Sequence, residues 1–389
     1  MTHLAPVAQA SLPAPLVPLA ANPAPAIVAV AEALQPDLAQ WLQIDALRLR
    51  REMEHAFGGS DATGAWDWKL AYEAGEVALI LFLRKFGRAL LTRAGSPAAL
   101  LPILAKVAGL LPTHTRRSEE MERFQQFSTP LPMGLAALSA AQITPHDLVL
   151  EPSAGTGLLA VLAEIAGGSL VLNELADTRA DLLGLLFPGR PATRFDAAQI
   201  DDYLGEDFRP SVILMNPPFS AQANVDGRST EATARHLRSA LARLVPGGRL
   251  VAITGAGAVS GAAFAKHGTS FETRISVFDK CRGGEPGGIT ADLHQPTSPD
   301  VAHLMSRVTA EVPPRLELEH AANAGLGHSS LFPGNSHLTT RKPVSRSRAT
   351  SVTLPAKSDT PIEAEELNYA SRDAAEDEDA ARLSDAIYE

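Results

Sequence analysis

Four short stretches carry residue types and spacings from which a reaction could be built. The first, Leu148-Val149-Leu150-Glu151-Pro152-Ser153-Ala154-Gly155-Thr156-Gly157, is an apolar strand running into a glycine turn, followed by the helical run Leu158 to Ala166. Glycine lets a backbone approach a ligand closely and take positive φ without steric cost, and the start of a helix presents N–H groups that have no partner inside it. A bound small molecule is the expected consequence. The spacing Gly155-x-Gly157-x-x-Ala160, with Glu174 17 positions after Gly157, also satisfies the dinucleotide fingerprint, so the turn alone does not choose the ligand. The second and third stretches end in acids. Glu174, after the apolar run Ser169 to Asn173, is placed to accept from two ribose hydroxyls, and Asp196, after the short run Ala192 to Phe195, is placed near an adenine amino group. Together they indicate an adenosine derivative, although each taken singly also reads as a solvated loop carboxylate. The fourth, Asn216-Pro217-Pro218-Phe219, closes the buried run Ser211 to Met215 and has no role in hydride transfer. It suits methyl transfer to a planar amine. The Asn216 side-chain oxygen and the Pro217 carbonyl can draw the amine hydrogens, the two prolines hold the turn rigid, and Phe219 can stack on a base.

The elements that must position these residues follow from periodicity. From Gln125 the pattern predicts a helix over Met133 to Gln142, the central strand, the helix Leu158 to Ala166, a strand over Ser169 to Asn173 and a helix over Ala176 to Leu186. Short strands follow at Ala192 to Phe195 and Ser211 to Met215, then a helix over Thr230 to Leu244 and a strand over Arg249 to Thr254. Strands alternating with helices give right-handed crossovers and a parallel sheet, with ligands at its carboxyl edge, where Glu151, Glu174, Asp196 and Asn216 all fall. The expected class is therefore α/β with a Rossmann-like sheet. Residues 26–120 carry apolar side chains at three and four spacing, and Ser96-Pro97 reads as an N-cap followed by N1, so an all-α accessory domain precedes the sheet. Basic residues recur there as Arg48/Arg50/Arg51, Arg84/Lys85/Arg88 and Arg116/Arg117, read either as a solvated helix face or as contacts to substrate phosphates.

Composition excludes several classes. The 389 residues are 45% hydrophobic and hold one cysteine, Cys281, which rules out an internal disulfide or a cysteine-based zinc site and suggests a reducing, cytoplasmic setting. The histidines show no metal spacing, so no metal is expected, and no apolar run approaches the roughly 20 residues needed to cross a bilayer. Residues 1–25, with six prolines and no Lys or Arg, read as disordered and lack the basic start of a signal peptide. The net charge of −10 is concentrated: residues 359–389 hold 11 acids and 2 bases, whereas the remainder holds 33 acids and 32 bases. Residues 283–389 lose periodicity and read as mostly disordered.

Glu151-Pro152-Ser153-Ala154-Gly155-Thr156-Gly157 followed by Asn216-Pro217-Pro218-Phe219 resembles the class I S-adenosylmethionine-dependent methyltransferases, and within them the amino-group DNA methyltransferases that act on adenine N6. The resemblance covers about residues 121–282. It implies S-adenosyl-L-methionine as cofactor, held by Glu151, Ser153, Gly155, Gly157, Glu174 and Asp196, with Asn216, Pro217 and Phe219 around the target amine. The upstream Phe127-Ser128-Thr129-Pro130 looks like that family's extra motif, which places Thr129 and Pro130 at the cofactor carboxylate. The helical front and the ending Leu383-Ser384-Asp385-Ala386-Ile387-Tyr388-Glu389 also look like the methylase half of bacterial strawberry notch-like methylase/helicase fusions, which implies nucleic acid, DNA before RNA, and a helicase as partners. No G-x-x-x-x-G-K-[ST] loop occurs in the sequence, so a split member is the expectation.

Two alternatives remain open at this point. N-P-P-[FY] also occurs in methyltransferases of RNA bases and of protein glutamine, and a catalytically inactive binding half is the third reading. One departure from the family concerns the sheet edge. Only the 18 residues Gly255 to Glu272 separate the strand ending at Thr254 from the one expected over Thr273 to Lys280, too few for a helix, a strand and two turns, so one C-terminal sheet element is expected to be missing. Arg235 and His236, on the helix after Asn-Pro-Pro-Phe, read as surface residues before substrate contacts.

Overall fold

The computed structural model describes residues 22–114, 128–190, 192–206, 208–218, 221–222, 225–228, 232–259, 273–282, 288–292, 298–316 and 318. Phe127, Phe219, the chain start at 1–21 and the acidic tail at 359–389 lie outside the described residues. The helices and strands, in chain order, are α1 (Ala24–Ala39), α2 (Ala46–Phe57), α3 (Trp68–Ala94), α4 (Pro97–Gly109), α5 (Leu131–Ala141), β1 (Leu148–Glu151), α6 (Leu158–Ile165), β2 (Ser169–Asn173), α7 (Asp177–Leu186), β3 (Ala192–Thr193), α8 (Ile200–Tyr203), β4 (Val212–Met215), β5 (Ala221–Gln222), β6 (Val225–Arg228), α9 (Ala232–Arg243), β7 (Arg249–Val259), β8 (Thr273–Asp279), β9 (Gly288–Asp292) and α10 (Val301–Glu311).

Strand alternation builds two cores. Val149, Leu170, Leu172, Val212, Leu214, Val251 and Ile253 point to one face, and Leu150, Val171, Ile213, Met215, Leu250 and Ala252 to the other. Successive strand residues face opposite ways, so runs that are apolar throughout must be covered on both sides. Helices α8 and α9 cover the second face through Ile200, Leu204, Ala240 and Leu244. The first face carries α5, α6 and α7, and the core there runs on without a break into α1, α3 and α4. The strand order is β3-β2-β1-β4-β7-β8-β9, with β1 paired in parallel to β2 and β4. This is a Rossmann-like α/β fold.

The helices at 24–109, in the stretch 26–120 expected as an accessory domain, pack on α5, α6 and α7, the helices that cover the first face of the sheet. Asp67 caps α3 by accepting from Leu70 N at 2.9 Å, and Gly95, at φ 73, ends it. The 27 residues between make a rod roughly 40 Å long. Gly87 lies where α3 crosses α6: a Cβ there would sit 2.5 Å from Ile165 Cδ1. A glycine inside a helix costs about 1 kcal/mol of propensity, and here it permits the close crossing.

One expectation is corrected at the other end of the chain. The sheet does not stop at the β7–β8 hairpin, because β9 pairs antiparallel with β8 and forms a further edge strand in line with β7. The element thought missing between 255 and 272 is thus matched by one that follows β8 in sequence. Within residues 283–389, expected to be mostly disordered, the described residues comprise this strand and also α10, which Asp300 caps by accepting from His303 N at 2.8 Å; most of the rest lie outside the described residues. Helix α10 packs against α5 through Leu304, Met305 and Val308, which are buried in the main core. Strand β9 is short and mixed in sequence and is held by pairing with β8, whereas α10 carries its own helix pattern, apolar at 301, 304, 305 and 308 behind the Asp300 cap.

The segment after α10 is fastened by two arginines. Arg315 donates to both oxygens of Asp147 at 2.6 and 2.9 Å, and Ser211 Oγ donates to the same carboxylate at 2.7 Å. Arg249, fully buried, grips Asp279 at 2.7 and 2.8 Å and donates to the Ala140 and Pro313 carbonyls at 3.1 Å. The Asp147 carboxyl lies below its ordinary pKa: burial opposes this, but Arg315, Ser211 and the Thr144 N–H outweigh it. Removing one partner of a buried pair strands the other, at about 3–5 kcal/mol. Arg315→Ala is therefore expected to lower the unfolding free energy by about 3 kcal/mol, read as a lower urea midpoint with unchanged slope. A depressed carboxyl contributes stability that is present above its unfolded pKa and lost as pH falls through the folded one, so the variant should also show a shallower acid destabilisation than the wild type.

Candidate active site

The carboxyl ends of β1, β2, β3 and β4 meet around the glycine turn. Asn173, the last residue of β2, is the junction: Nδ2 donates to Pro152 O at 2.8 Å and Phe195 O at 2.9 Å, and Oδ1 accepts from Thr193 Oγ1 at 2.7 Å and Phe195 N at 2.8 Å. It ties the exits of three strands together. Ala154 N completes the turn by donating to Asn173 O at 2.9 Å. Gly157, at φ 102, then starts α6. A Cβ there would lie 2.6 Å from Phe187 Cε2 and 3.1 Å from Leu183 Cδ2, so both backbone conformation and space demand glycine.

Each expected cofactor residue of the sheet lies at this edge. Glu174 uses both oxygens on backbone N–H groups, Oε2 on Gly155 at 2.8 Å and Oε1 on Ala176 at 2.9 Å. Its first role is to hold the glycine turn against the start of α7. Each oxygen retains a second lone pair for a ligand. Glu151 is buried at the end of β1 and accepts a backbone hydrogen bond from Ala160 in the first turn of α6. Its Oε2 has no partner among the described residues. Burial, with the Glu174 charge added, pushes the Glu151 carboxyl well above the usual range. Ser153 and Gly155 are half-buried in the turn. Asp196 Oδ1 accepts from Ala198 N at 2.9 Å and caps the short turn Ala197–Gln199.

Asn216 ends β4, next to β1 in the sheet, and its Nδ2 donates to Thr129 Oγ1 at 3.0 Å. That bond joins the stretch before α5 to the Asn-Pro-Pro turn. Pro130 is buried at the N-cap of α5, and Pro217 is buried and Pro218 half-buried in the turn. His236, expected on the surface, is instead buried on α9 with Nδ1 2.8 Å from Ala232 O, whereas Arg235 is exposed as expected. Burial lowers the His236 pKa despite the Ala232 carbonyl and nearby Asp196.

The residues that periodicity did not single out come from α3. Glu76 Oε2 accepts from Thr156 Oγ1, inside the glycine turn, at 3.0 Å, and the same carboxylate bonds the Ser128 hydroxyl. One turn away, Glu73 Oε1 accepts from Arg179 Nε of α7 at 2.7 Å. Both glutamates and Arg179 are buried. Burial raises the Glu76 carboxyl to about 7 against the opposing pull of Arg179 and the Ser128 and Thr156 hydroxyls. Arg179 stays firmly cationic because Glu73, Glu174 and Glu76 outweigh its desolvation. The only sequence signal was a pair of acids three apart in a run otherwise apolar, Leu70 to Leu83.

The basic residues of the front helices take the bland reading wherever they are described in ion pairs. Arg48 pairs with Asp37 and Glu52, Arg50 with Asp61, and Arg84 with Glu164. Arg84 also lies over the Phe187 ring, 4.7 Å from its centroid.

No family model matches the sequence and no curated protein matches it. Solved structures do. The chain is similar to a protein assigned as an RNA methyltransferase from Pyrococcus horikoshii, at 21% identity over 40% of this chain and 74% of that one, with a TM-score of 0.31. It is similar to a modification subunit assigned to a type I restriction enzyme of Vibrio vulnificus, at 19% identity over 47% of this chain and 53% of that one, with a TM-score of 0.33. A third likeness is to TrmN from Thermus thermophilus, at 20% identity over 47% of this chain and 66% of that one, with a TM-score of 0.29. The chain spans about half the length of the modification subunit it matches.

The raised carboxyls of Glu76 and Glu151 make a prediction for the protein alone. A carboxyl whose folded pKa lies above its unfolded value contributes stability that is complete below the unfolded pKa and lost as pH rises through the folded one. For Glu76 that window runs from 4.5 to about 7. The ligand-free protein should therefore melt several degrees lower at about pH 7.5 than at about pH 6 in thermal scans, and Glu76→Gln should reduce the difference.

Proposed function

We propose that the protein is an S-adenosyl-L-methionine-dependent methyltransferase that transfers methyl to the exocyclic amine of adenine in DNA. The observation that carries this reading is the Asn216–Thr129 bond at the shared carboxyl edge of β1 and β4, which brings the expected donor and acceptor motifs together. The cofactor fits the residues present. A Cβ at Gly155 would meet nothing nearer than Arg179 Nη1 at 3.9 Å, so the turn is open there, Glu174 retains acceptor capacity for ribose hydroxyls, and Glu151 Oε2 is a buried polar atom with no partner among the described residues. Asp196 stands at the next strand end for the adenine amine, with Ser153 in the turn and Thr129 and Pro130 beside it.

When bound, the cofactor supplies a methyl group on a sulfonium, an electrophile that needs no metal and no covalent enzyme intermediate. The protein then has to make a weak nucleophile stronger. An exocyclic amine shares its lone pair with the ring, and two acceptors on its hydrogens return that pair toward nitrogen. Asn216 offers one. Because Nδ2 donates to Thr129 Oγ1, the amide is oriented with Oδ1 as its acceptor end. The Pro217 carbonyl offers the second, and the Pro217-Pro218 backbone limits the turn's freedom, so alignment is built in before substrate arrives. Phe219, the expected stacking partner for the base, lies outside the described residues. RNA-base and protein-glutamine amines ask the same of the turn, and a DNA substrate is favoured by the order of motifs along the chain, with the stretch at Ser128 to Pro130 preceding the glycine turn. A helicase partner and a nucleic-acid surface belong to this proposal as well.

Two substitutions separate the roles. Asn216→Ala is expected to reduce transfer to DNA by at least 100-fold, on the order of the loss for one positioned polar group in a site, with cofactor affinity changed only a few fold. Glu174→Ala should weaken cofactor binding by about 10-fold or more, since it both removes an acceptor and releases Gly155 N. Labelled-methyl transfer to DNA, RNA and a glutamine peptide, with calorimetric cofactor titration, reads both. Label confined to glutamine, or equal loss of cofactor binding in the two variants, would overturn the assignment.

A further inference from the structure

Helix α3 lies well before every stretch that suggested chemistry, yet it delivers two carboxylates to the glycine turn. Charged groups are costly to bury, and those that remain are expected to be paired. Around this turn four buried acidic side chains gather. Among the described residues, Glu73 and Glu76 from α3 and Glu174 from the end of β2 act on the buried guanidinium of Arg179 of α7, and Glu151, at the end of β1, lies beside Glu174. Lys69, one turn before Glu73 on α3, is a second buried cation. Glu73 Oε2 and Glu151 Oε2 are both buried, with no hydrogen-bond partner among the described residues. A network whose only duty was to fasten α3 to the sheet would be expected to close its hydrogen bonds.

We propose that α3 forms part of the wall of the cofactor pocket, and that Glu76 is a positioning residue whose carboxylate bridges the Ser128 and Thr156 hydroxyls and favours a cationic ligand at the glycine turn. The inference rests on the methyltransferase reading and deepens it, since S-adenosyl-L-methionine carries a sulfonium and an ammonium against one carboxylate. It also explains why the front helices share a core with the sheet: a residue that sets the turn must be held by a rigid neighbour, and the Gly87–Ile165 crossing keeps α3 close along α6.

The arrangement has a proton signature. Glu76 titrates near neutrality when the pocket holds no cation, under the joint influence of burial, Arg179, Glu73, and the Ser128 and Thr156 hydroxyls. A bound cation favours the ionised form, so binding should release a proton and strengthen as pH rises. Glutamine matches the protonated side chain in shape and cannot ionise.

The test is calorimetric titration of the full chain and of Glu76→Gln with S-adenosyl-L-methionine between about pH 5.5 and 7, below the range in which an α-amino group begins to deprotonate. The two proteins should bind alike at the acidic end. Their affinity ratio should then widen by several fold in favour of the wild type by about pH 7, while ligand-free Glu76→Gln melts at or above the wild-type temperature. A pH-independent ratio, or a variant that binds as tightly as the wild type at about pH 7, would overturn the proposal. So would a variant that melts lower and loses the same affinity at every pH, the mark of a strut with no charge role. Failure of the wild type to bind S-adenosyl-L-methionine at any pH would overturn the methyltransferase reading itself and this inference with it.

Discussion

The burial of charge beside a glycine turn is the constraint on which the rest of the molecule depends. Gly155 and Gly157 adopt positive-φ backbone conformations that favour glycine, and such a turn keeps its shape only if its polar groups are tied. Glu174 ties Gly155 N, Glu76 ties Thr156, and Asn173 ties the strand exits on either side. Each of these side chains is itself buried, so each requires a closed layer over it. The apolar cover of the turn and the polar ties within it are one structural requirement.

This accounts for the unusual extent of the main core. In a sheet whose strands are apolar on both sides, α5 to α7 would suffice to cover one face of the central strands. Here α1, α3 and α4 add a further layer, and the interior of α3 is polar just where it passes the glycine turn, at Glu73 and Glu76. The remote end of the sheet is built for strength by other means. Arg315 and Arg249 reach to Asp147 and Asp279 and hold the segment after α10 across the sheet's amino edge. There each arginine is paired with an aspartate, whereas at the carboxyl edge Glu73 Oε2 and Glu151 Oε2 have no hydrogen-bond partner among the described residues. Those unpartnered carboxyl oxygens beside the glycine turn are what favours the proposed binding of a sulfonium cofactor.

Much of the parallel half of the sheet was legible from local pattern. The run Ser169 to Asn173 is a strand over those residues, and the helices expected at 158–166 and 176–186 differ from α6 and α7 by a single residue at one end. Buried parallel strands are continuous apolar runs closed by turn residues, and helices between them carry a three and four repeat, so both signals are strong. The antiparallel edge was harder. Strand β9, with the sequence Gly-Ile-Thr-Ala-Asp, is too short and mixed to announce itself, and its existence depends on the free edge of β8. Helix α10, by contrast, carries local signals, the Asp300 cap and apolar residues at 301, 304, 305 and 308, set in a stretch otherwise rich in Pro, Gly and Ser.

The strand ends at Glu151, Glu174 and Asn216 were determined by sequence alone, because side-chain chemistry at the close of an apolar run is a local property, whereas β3 stops at Thr193 and leaves Asp196 as the cap of the following turn. Tertiary structure decided what those residues touch. That Glu174 first serves the turn, that Asn173 joins three strand exits, that His236 is buried and that Asn216 meets Thr129 are contacts between residues from 4 to 87 positions apart. The reach of α3 into the turn is the extreme case, with Glu76 and Thr156 separated by 80 positions. A carboxylate on an apolar helix has no periodicity to mark its purpose; only the packing of that helix against a distant loop gives it a partner, and burial then gives it an altered charge.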